Sequence, residues 1–173
     1  MSALRLINET TISSNTQSVN ITDVFSSTYD AYKIVGTGFL LASSGGTNIN
    51  LRLIDSSDNV ISSGYVLAIH NLKSGGSFSD NNRGASKDNI FFYFGRAGAS
   101  GQSTGSVGYI FNPYSSSHYT FSFFENVYNN NNINQEGAKG VFTYPQNTSI
   151  TGFQAYASSN IAAGTIQTYG LKR

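Results

Sequence analysis

A chain of 173 residues with 11 Tyr, 12 Phe and no cysteine is long enough to bury a core of its own and has no thiols for a disulfide framework or a thiolate metal site. Its formal net charge is +1, and its ten basic residues are dispersed along the chain, which argues against the clustered basic face of a nucleic-acid binder. Only 11% of the residues are charged, against roughly 25% in an average globular protein, so Ser, Thr, Asn, Gln and Gly must cover a neutral, hydrogen-bonding surface with little repulsion between copies.

The apolar residues recur with a period near two rather than 3.6, the mark of strands. Taken in chain order, strands are predicted at Leu4–Asn8, Ser18–Phe25, Tyr32–Ala42, Ile49–Asp55, Ile90–Arg96, Val107–Asn112, Tyr119–Val127, Gly140–Tyr144, Gly152–Ala157 and Thr165–Leu171. In the fourth, Ile49, Leu51 and Leu53 alternate with Asn50 and Arg52 and are expected to face the core. In the seventh, Tyr119, Phe121 and Phe123 alternate with Thr120 and Ser122 and take the same reading. Ile90 to Phe94 is apolar at every position and is expected to be covered on both sides, by a second sheet or by a neighbouring copy. Between Ile61 and Lys73 the alternation of Tyr65, Leu67 and Ile69 favours a strand over a short helix.

Turn chemistry separates these runs at Ser43 to Gly46, Asp55 to Asn59, Ser74 to Gly76, Ala99 to Gly101 and Asn160 to Gly164, where Gly and Asn supply positive φ and Asp and Ser cap the backbone. Long polar loops are expected from Ser74 to Asn89 and around Asn129 to Asn132. Short strands with turn signals every ~8–12 residues indicate an all-β fold, an antiparallel jelly roll or β-sandwich of about 8–10 strands. Uniform composition predicts one domain over residues 1–173. The apolar stretch after Met1 is too short for a signal peptide, and no run approaches the ~20 apolar residues of a membrane helix. Synthesis in a cytosol, with no membrane partner, is the expectation.

No catalytic centre is expected. His70 and His118 lie far apart in sequence without metal-ligand spacing. The serines form no Gly-x-Ser-x-Gly elbow. Asp30, Asp55, Asp58, Asp80 and Asp88 sit in or beside turns and read as caps, which leaves Glu125 and Glu136 as the one carboxylate pair to weigh for glycoside hydrolysis. Asp55 to Asn59 lacks the ligand spacing of an EF-hand loop and reads as a hairpin turn. Ser103 to Gly108 is Gly-rich, but no helix pattern follows to cradle a phosphate. No metal and no cofactor is implied. Tyr and Asn do gather near loops, and Tyr114, Tyr128, Asn129, Asn130, Asn131 and Asn132 are the candidate contacts with a glycan or a protein partner.

Three segments add a resemblance. Phe25-Ser26-Ser27-Thr28-Tyr29-Asp30-Ala31-Tyr32-Lys33-Ile34 resembles a recurrent N-terminal signature of phage structural proteins, in which a serine-rich strand leads into a Tyr-Asp-x-Tyr-x-Ile turn and strand. Ile110-Phe111-Asn112-Pro113 resembles their mid-chain Asn-Pro turn, and Gly164-Thr165-Ile166-Gln167-Thr168-Tyr169-Gly170-Leu171-Lys172 their closing strand. The family is that of jelly-roll virion structural proteins, of head-decoration or tail-fibre type, from marine and cyanobacterial tailed bacteriophages. The resemblance spans nearly the whole chain. It implies a structural, homo-oligomeric role, usually as a trimer, and carries over no catalytic residue.

The chain starts directly at its β region, with no shaft, coiled coil or collagen-like repeat. This shifts the expectation from a fibre to a head decoration, cement or other attached particle component, located on the virion. Its expected partners are its own copies and capsid or tail proteins, with no nucleic acid. The alternative is a glycan-binding receptor-recognition module of a tail fibre, with a host-surface glycan as partner.

Overall fold

The computed structural model describes residues 4–42, 47–74, 78–82, 87–89, 91–97, 104–129 and 135–171. Among them the chain forms eleven strands and no helix: β1 (Leu4–Ile12), β2 (Thr16–Ile21), β3 (Ala31–Leu41), β4 (Thr47–Asp55), β5 (Val66–Lys73), β6 (Phe78–Asn82), β7 (Phe91–Ala97), β8 (Gly105–Phe111), β9 (Thr120–Asn129), β10 (Gln135–Tyr144) and β11 (Ile150–Leu171). All pairings are antiparallel, in the order β6-β5-β10-β9-β8-β3-β11-β4-β7, with β1 and β2 also on β11. The fold is the all-β sandwich that the two-residue period predicts.

The 22-residue β11 is the spine. Its first half pairs with β2 and β4, and its second half with β1 and β3. Register shifts between Ile161 and Thr165, with Gly164 at φ 154°, mark the bend where it passes from one layer to the other. The predicted turn at Asn160 to Gly164 is therefore a bulged stretch within one strand, because β3 and β1 take up its backbone groups on either side. The predicted loop from Ser74 to Asn89 likewise contains β6, which pairs with β5. The expected turns at 43–46 and 99–101, and most of that at 74–76, lie outside the described residues.

β7 crosses over the larger layer, and Phe94 sits between the two. Its ring meets Phe39 of β3 and Phe124 of β9 edge-on, with centroids 5.8 and 5.9 Å away. Phe142 extends the cluster to β10. Phe94 is thus covered, as the doubly apolar run predicts; residue 90 and the side chains of Phe91, Phe92 and Tyr93 lie outside the described residues. Ile49, Leu51 and Leu53 are fully buried, as expected.

β9 departs from the prediction. Thr120, Ser122, Phe124 and Tyr128 face the core, while Tyr119 and Phe121 are exposed and Phe123 is half-buried. The alternation predicts the right period but the wrong face. Both faces of β9 are rich in apolar groups, and the inward one is selected by packing. Phe124 lies flat over Gly108 of β8, where the missing side chain makes the room.

The turn from Asp55 to Asn59 forms as predicted. The Asp55 carboxylate accepts the N–H groups of Ser57 (2.8 Å) and Asn59 (3.0 Å) and the Asn59 side-chain amide (3.2 Å). Partial burial pushes this carboxyl up, but the hydrogen bonds from Asn59 and Ser57 outweigh it and hold the group below its ordinary value. Stabilisation from a lowered carboxylate is present above the unfolded-state value and is lost as pH falls through the folded one. Asp55→Ala is expected to lower the melting temperature at neutral pH by about 2–4 °C, as about 1 kcal/mol does in a chain of this size. The gap should narrow in melts below about pH 3.

Candidate functional site

The larger layer runs β1, the second half of β11, β3, β8, β9, β10 and β5. Its register fixes which side chains share the outer face. One cross-strand row reads Leu4, Leu171, Ala31, Phe111, Phe121, Thr143 and Val66; the next reads Leu6, Tyr169, Lys33, Tyr109, Phe123, Val141 and Ala68. A third carries Gln167, Val35, Val107, Glu125, Lys139 and His70. Tyr109 and Phe123 pack ring to ring at 5.1 Å, with Phe111 6.1 Å from Phe123. Around them Phe121 is 46% exposed, Val127 56% and Val141 59%. These large apolar side chains form one continuous patch exposed to water.

The charges on this face are few and largely balanced. Lys139 and Glu125, cross-strand neighbours, form an ion pair at 2.8 Å. Glu9 accepts from Gln167 at 2.6 Å. Lys33 lies between Tyr169 and Tyr109.

The outer face of the smaller layer is different. There Gln154 donates to Asn20 (2.9 Å), and Arg52 lies over the Tyr156 ring, 3.9 Å from its centroid, while pairing with Asp88 at 3.3 Å. Burial raises the Tyr156 phenol, with Arg52 opposing. One broad face of the sandwich is thus apolar and the other a ladder of amides and paired charges.

A third feature lies at one end of the sandwich, where the β2–β3, β8–β9 and β10–β11 connections meet. The Asn112 N–H donates to the Asp30 carbonyl (2.7 Å), the Ile150 N–H to the Pro113 carbonyl (2.8 Å), and the Ser149 hydroxyl to the Tyr114 carbonyl (3.1 Å). Between these pinned segments lies a cleft of about 300 Å³ lined by Ser26, Ser27, Tyr29, Asp30, Asn112, Tyr114, Ser115 and His118. The Ser115 and Ser117 hydroxyls both bond His118 Nδ1, at 3.0 and 3.1 Å.

The candidate contacts chosen from sequence are dispersed. Tyr114 is exposed beside this cleft. Tyr128 is buried, and its hydroxyl donates to Glu136 Oε2 at 2.8 Å, so it ties β9 to β10. Asn129 ends β9 at the far end of the strand from Tyr114; its side chain and Asn130, Asn131 and Asn132 lie outside the described residues. Glu125 and Glu136 stand on opposite faces of the sheet, Glu125 outward with Lys139 and Glu136 inward with Tyr128, so the fold does not set them across a common cleft. Among the described residues no three His, Cys, Asp or Glu side chains gather as metal ligands. Tyr29, Asp30, Asn112 and His118 carry no joint signal in the sequence, because only the meeting of separate loops makes them neighbours. For the outer face a signal does exist, in the apolar residues on both sides of β9.

No family model matches the chain, and no curated protein matches it. Among solved structures it is similar to the CBM2 module of Lactobacillus casei BL23 phage J-1 evolved Dit, with 8% identity over 90% of this chain and 69% of that one. The TM-score is 0.29, a likeness too loose to carry an argument.

Proposed function

We propose that the chain is a non-enzymatic structural component of a bacteriophage particle, a head decoration, cement or other attached protein, which assembles with its own copies through the outer face of the larger sheet. The observation that carries this reading is the continuous aromatic and aliphatic surface over β8, β9 and β10. Seven strands at about 4.8 Å spacing, with about 20 Å of strand length, cover about 600 Å², near the ~800 Å² that each partner contributes to a standard interface. A face with few charges, where Lys139 and Glu125 pair with each other, favours an equally neutral partner, and a second copy is one. The sequence resemblance to jelly-roll virion proteins supports the particle setting and a trimer as the assembly. A glycan-recognition role on a tail is the second reading, favoured by the cleft at the loop end.

Val141→Glu tests the assembly. The side chain is exposed, so folding should change by no more than about 0.5 kcal/mol. In an assembled face the same carboxylate would be buried beside Phe123 without a partner, which costs several kcal/mol. Sedimentation at micromolar concentration should show an oligomer for the parent and a monomer for the variant, with the same circular dichroism. A monomeric parent that is also missing from purified particles would overturn the proposal.

A further inference from the structure

We propose that two copies stack their larger sheets face to face about a two-fold axis that runs along the gap between β9 and β10. This rests on the reading that the outer face carries the assembly, and it names the contact within that face.

The strand register makes the face complementary to itself. A two-fold axis in the contact plane, parallel to the strands, keeps each cross-strand row at its own level. It exchanges β9 with β10 and β8 with β5, the strands on either side. Stacked sheets keep their strand directions within about 30° and lie about 10 Å apart, so side chains of one row meet near the axis. Cross-strand neighbours within a copy then also face each other between copies. These are Glu125 with Lys139, Val127 with Gly137 and Phe123 with Val141. One strand further out, Gly105 faces Leu72 and Tyr109 faces Ala68.

Shape supports this register. Val127 and Leu72 are both exposed. On one side of Val127, over Gly105, lies a hollow of about 390 Å³ that Thr37 and Val107 also line. On its other side, over Gly137 and towards Leu72, lies a hollow of about 410 Å³. The exchange puts Val127 of each copy over Gly137 of the other, and Leu72 over Gly105, so each knob enters a hollow. Tyr109 over Ala68 repeats the match of large on small.

Charge decides between this axis and others. The Glu125 and Lys139 side chains are 50% and 67% exposed, with their ion pair at 2.8 Å, so each keeps an open side for a second partner. The proposed axis sets Glu125 of one copy over Lys139 of the other, and the charges alternate in a closed ring. An axis along the row of Val107, Glu125 and Lys139 would set each charge over its own kind. An axis between β8 and β9 would set Glu125 over Val107 and Lys139 over Val35. Burying like charges together, or over aliphatic groups, opposes association. A contact of this kind is isologous and closes at two copies; a trimer would be joined through other surfaces.

The test exchanges the two charges. Glu125→Lys leaves only cations at the centre of the contact, and Lys139→Glu only carboxylates. By sedimentation each should associate with itself at least about a hundredfold more weakly than the parent, which forms a dimer. Mixed one to one, they should form a heterodimer within about tenfold of the parent's affinity, although neither chain then holds an ion pair of its own. The double variant, Glu125→Lys with Lys139→Glu, should dimerise with itself and, in native mass spectrometry, form no mixed dimer with an isotope-labelled parent; it serves alone if a single variant fails to fold. Circular dichroism should be the same for all, since an exposed ion pair adds little to folding. A monomeric parent would overturn the assembly reading and this contact together. A parent that Val141→Glu dissociates but neither charge variant weakens keeps the assembly reading and overturns the two-fold contact. So does a mixture no tighter than its components, a double variant that mixes freely with the parent, or a parent that sediments as a trimer.

Discussion

Gly108→Ala is expected to cost about 3 kcal/mol or more, a large share of the ~5–15 kcal/mol that holds a typical domain folded. A Cβ at this position would sit 1.8 Å from Cδ1 of Phe124 and 2.2 Å from Cε1. Phe124 cannot swing aside, because its fully buried ring is held edge-on by Phe94 at 5.9 Å and by Phe142 at 5.8 Å. Overpacking a tight core typically costs about 1–3 kcal/mol, and here a whole ring must be displaced rather than a flexible tip. Urea unfolding measures the loss. Gly105→Ala, on the same strand, is the control: its nearest neighbour would be a Val127 methyl at 3.9 Å, so its midpoint should stay near that of the parent. Gly108→Ala combined with Phe124→Leu should recover part of the loss, since residues in contact are not additive. Equal midpoints for Gly108→Ala and Gly105→Ala would show that Phe124 does not lie over β8 as described.

Tyr65→Phe carries the second large effect and a pH signature. The Tyr65 hydroxyl accepts the Leu53 N–H and donates to the Ile61 carbonyl, both at 2.9 Å, in a site with no solvent exposure. Phenylalanine fills the same space but leaves both backbone groups without that partner, at a cost of about 1–3 kcal/mol. Burial pushes the Tyr65 phenol far above its ordinary value; the Leu53 N–H opposes this weakly and the nearby Tyr144 phenol adds to it. The native state therefore keeps its proton where the unfolded chain, near pH 10, begins to lose it. Stability from such a group is complete below the unfolded value and is lost as pH rises through the folded one, at up to about 1.4 kcal/mol per pH unit. Tyr156 shifts the same way, with burial as its main cause, and adds to this alkaline limb. Tyr65→Phe should start less stable at pH 7 and fall less steeply above pH 10. Chemical denaturation across that range would show two converging curves; parallel curves would mean that Tyr65 ionises as freely in the fold as in the unfolded chain.

Both effects arise from contacts between residues distant in sequence, and this is where sequence reading stops. The alternation of Ile49, Leu51 and Leu53 is unambiguous because their neighbours Asn50 and Arg52 are polar, and those three side chains are buried. β9 is ambiguous because its neighbouring positions hold Phe and Tyr on one side and Phe and Val on the other. A two-residue period establishes a strand but not which side is inward. Turn residues have the same limit. Asp55 makes its turn through bonds to residues two and four places along, so the motif is complete within the segment. Asn160 to Gly164 has turn composition too, but β3 and β1 flank the stretch and hold it extended through a bulge.

By itself, then, the sequence determined that this is an all-β chain with short strands, neutral surfaces and local turns, because those properties rest on composition and on neighbours a few residues apart. Only the tertiary structure decided that aromatic side chains of β8 and β9 face outward, since that depends on Phe124 finding room over Gly108. Only it brought Tyr29, Asp30, Asn112, Tyr114 and His118 to one cleft, since the loops that carry them are joined by hydrogen bonds across the end of the sandwich and by nothing in the order of the chain.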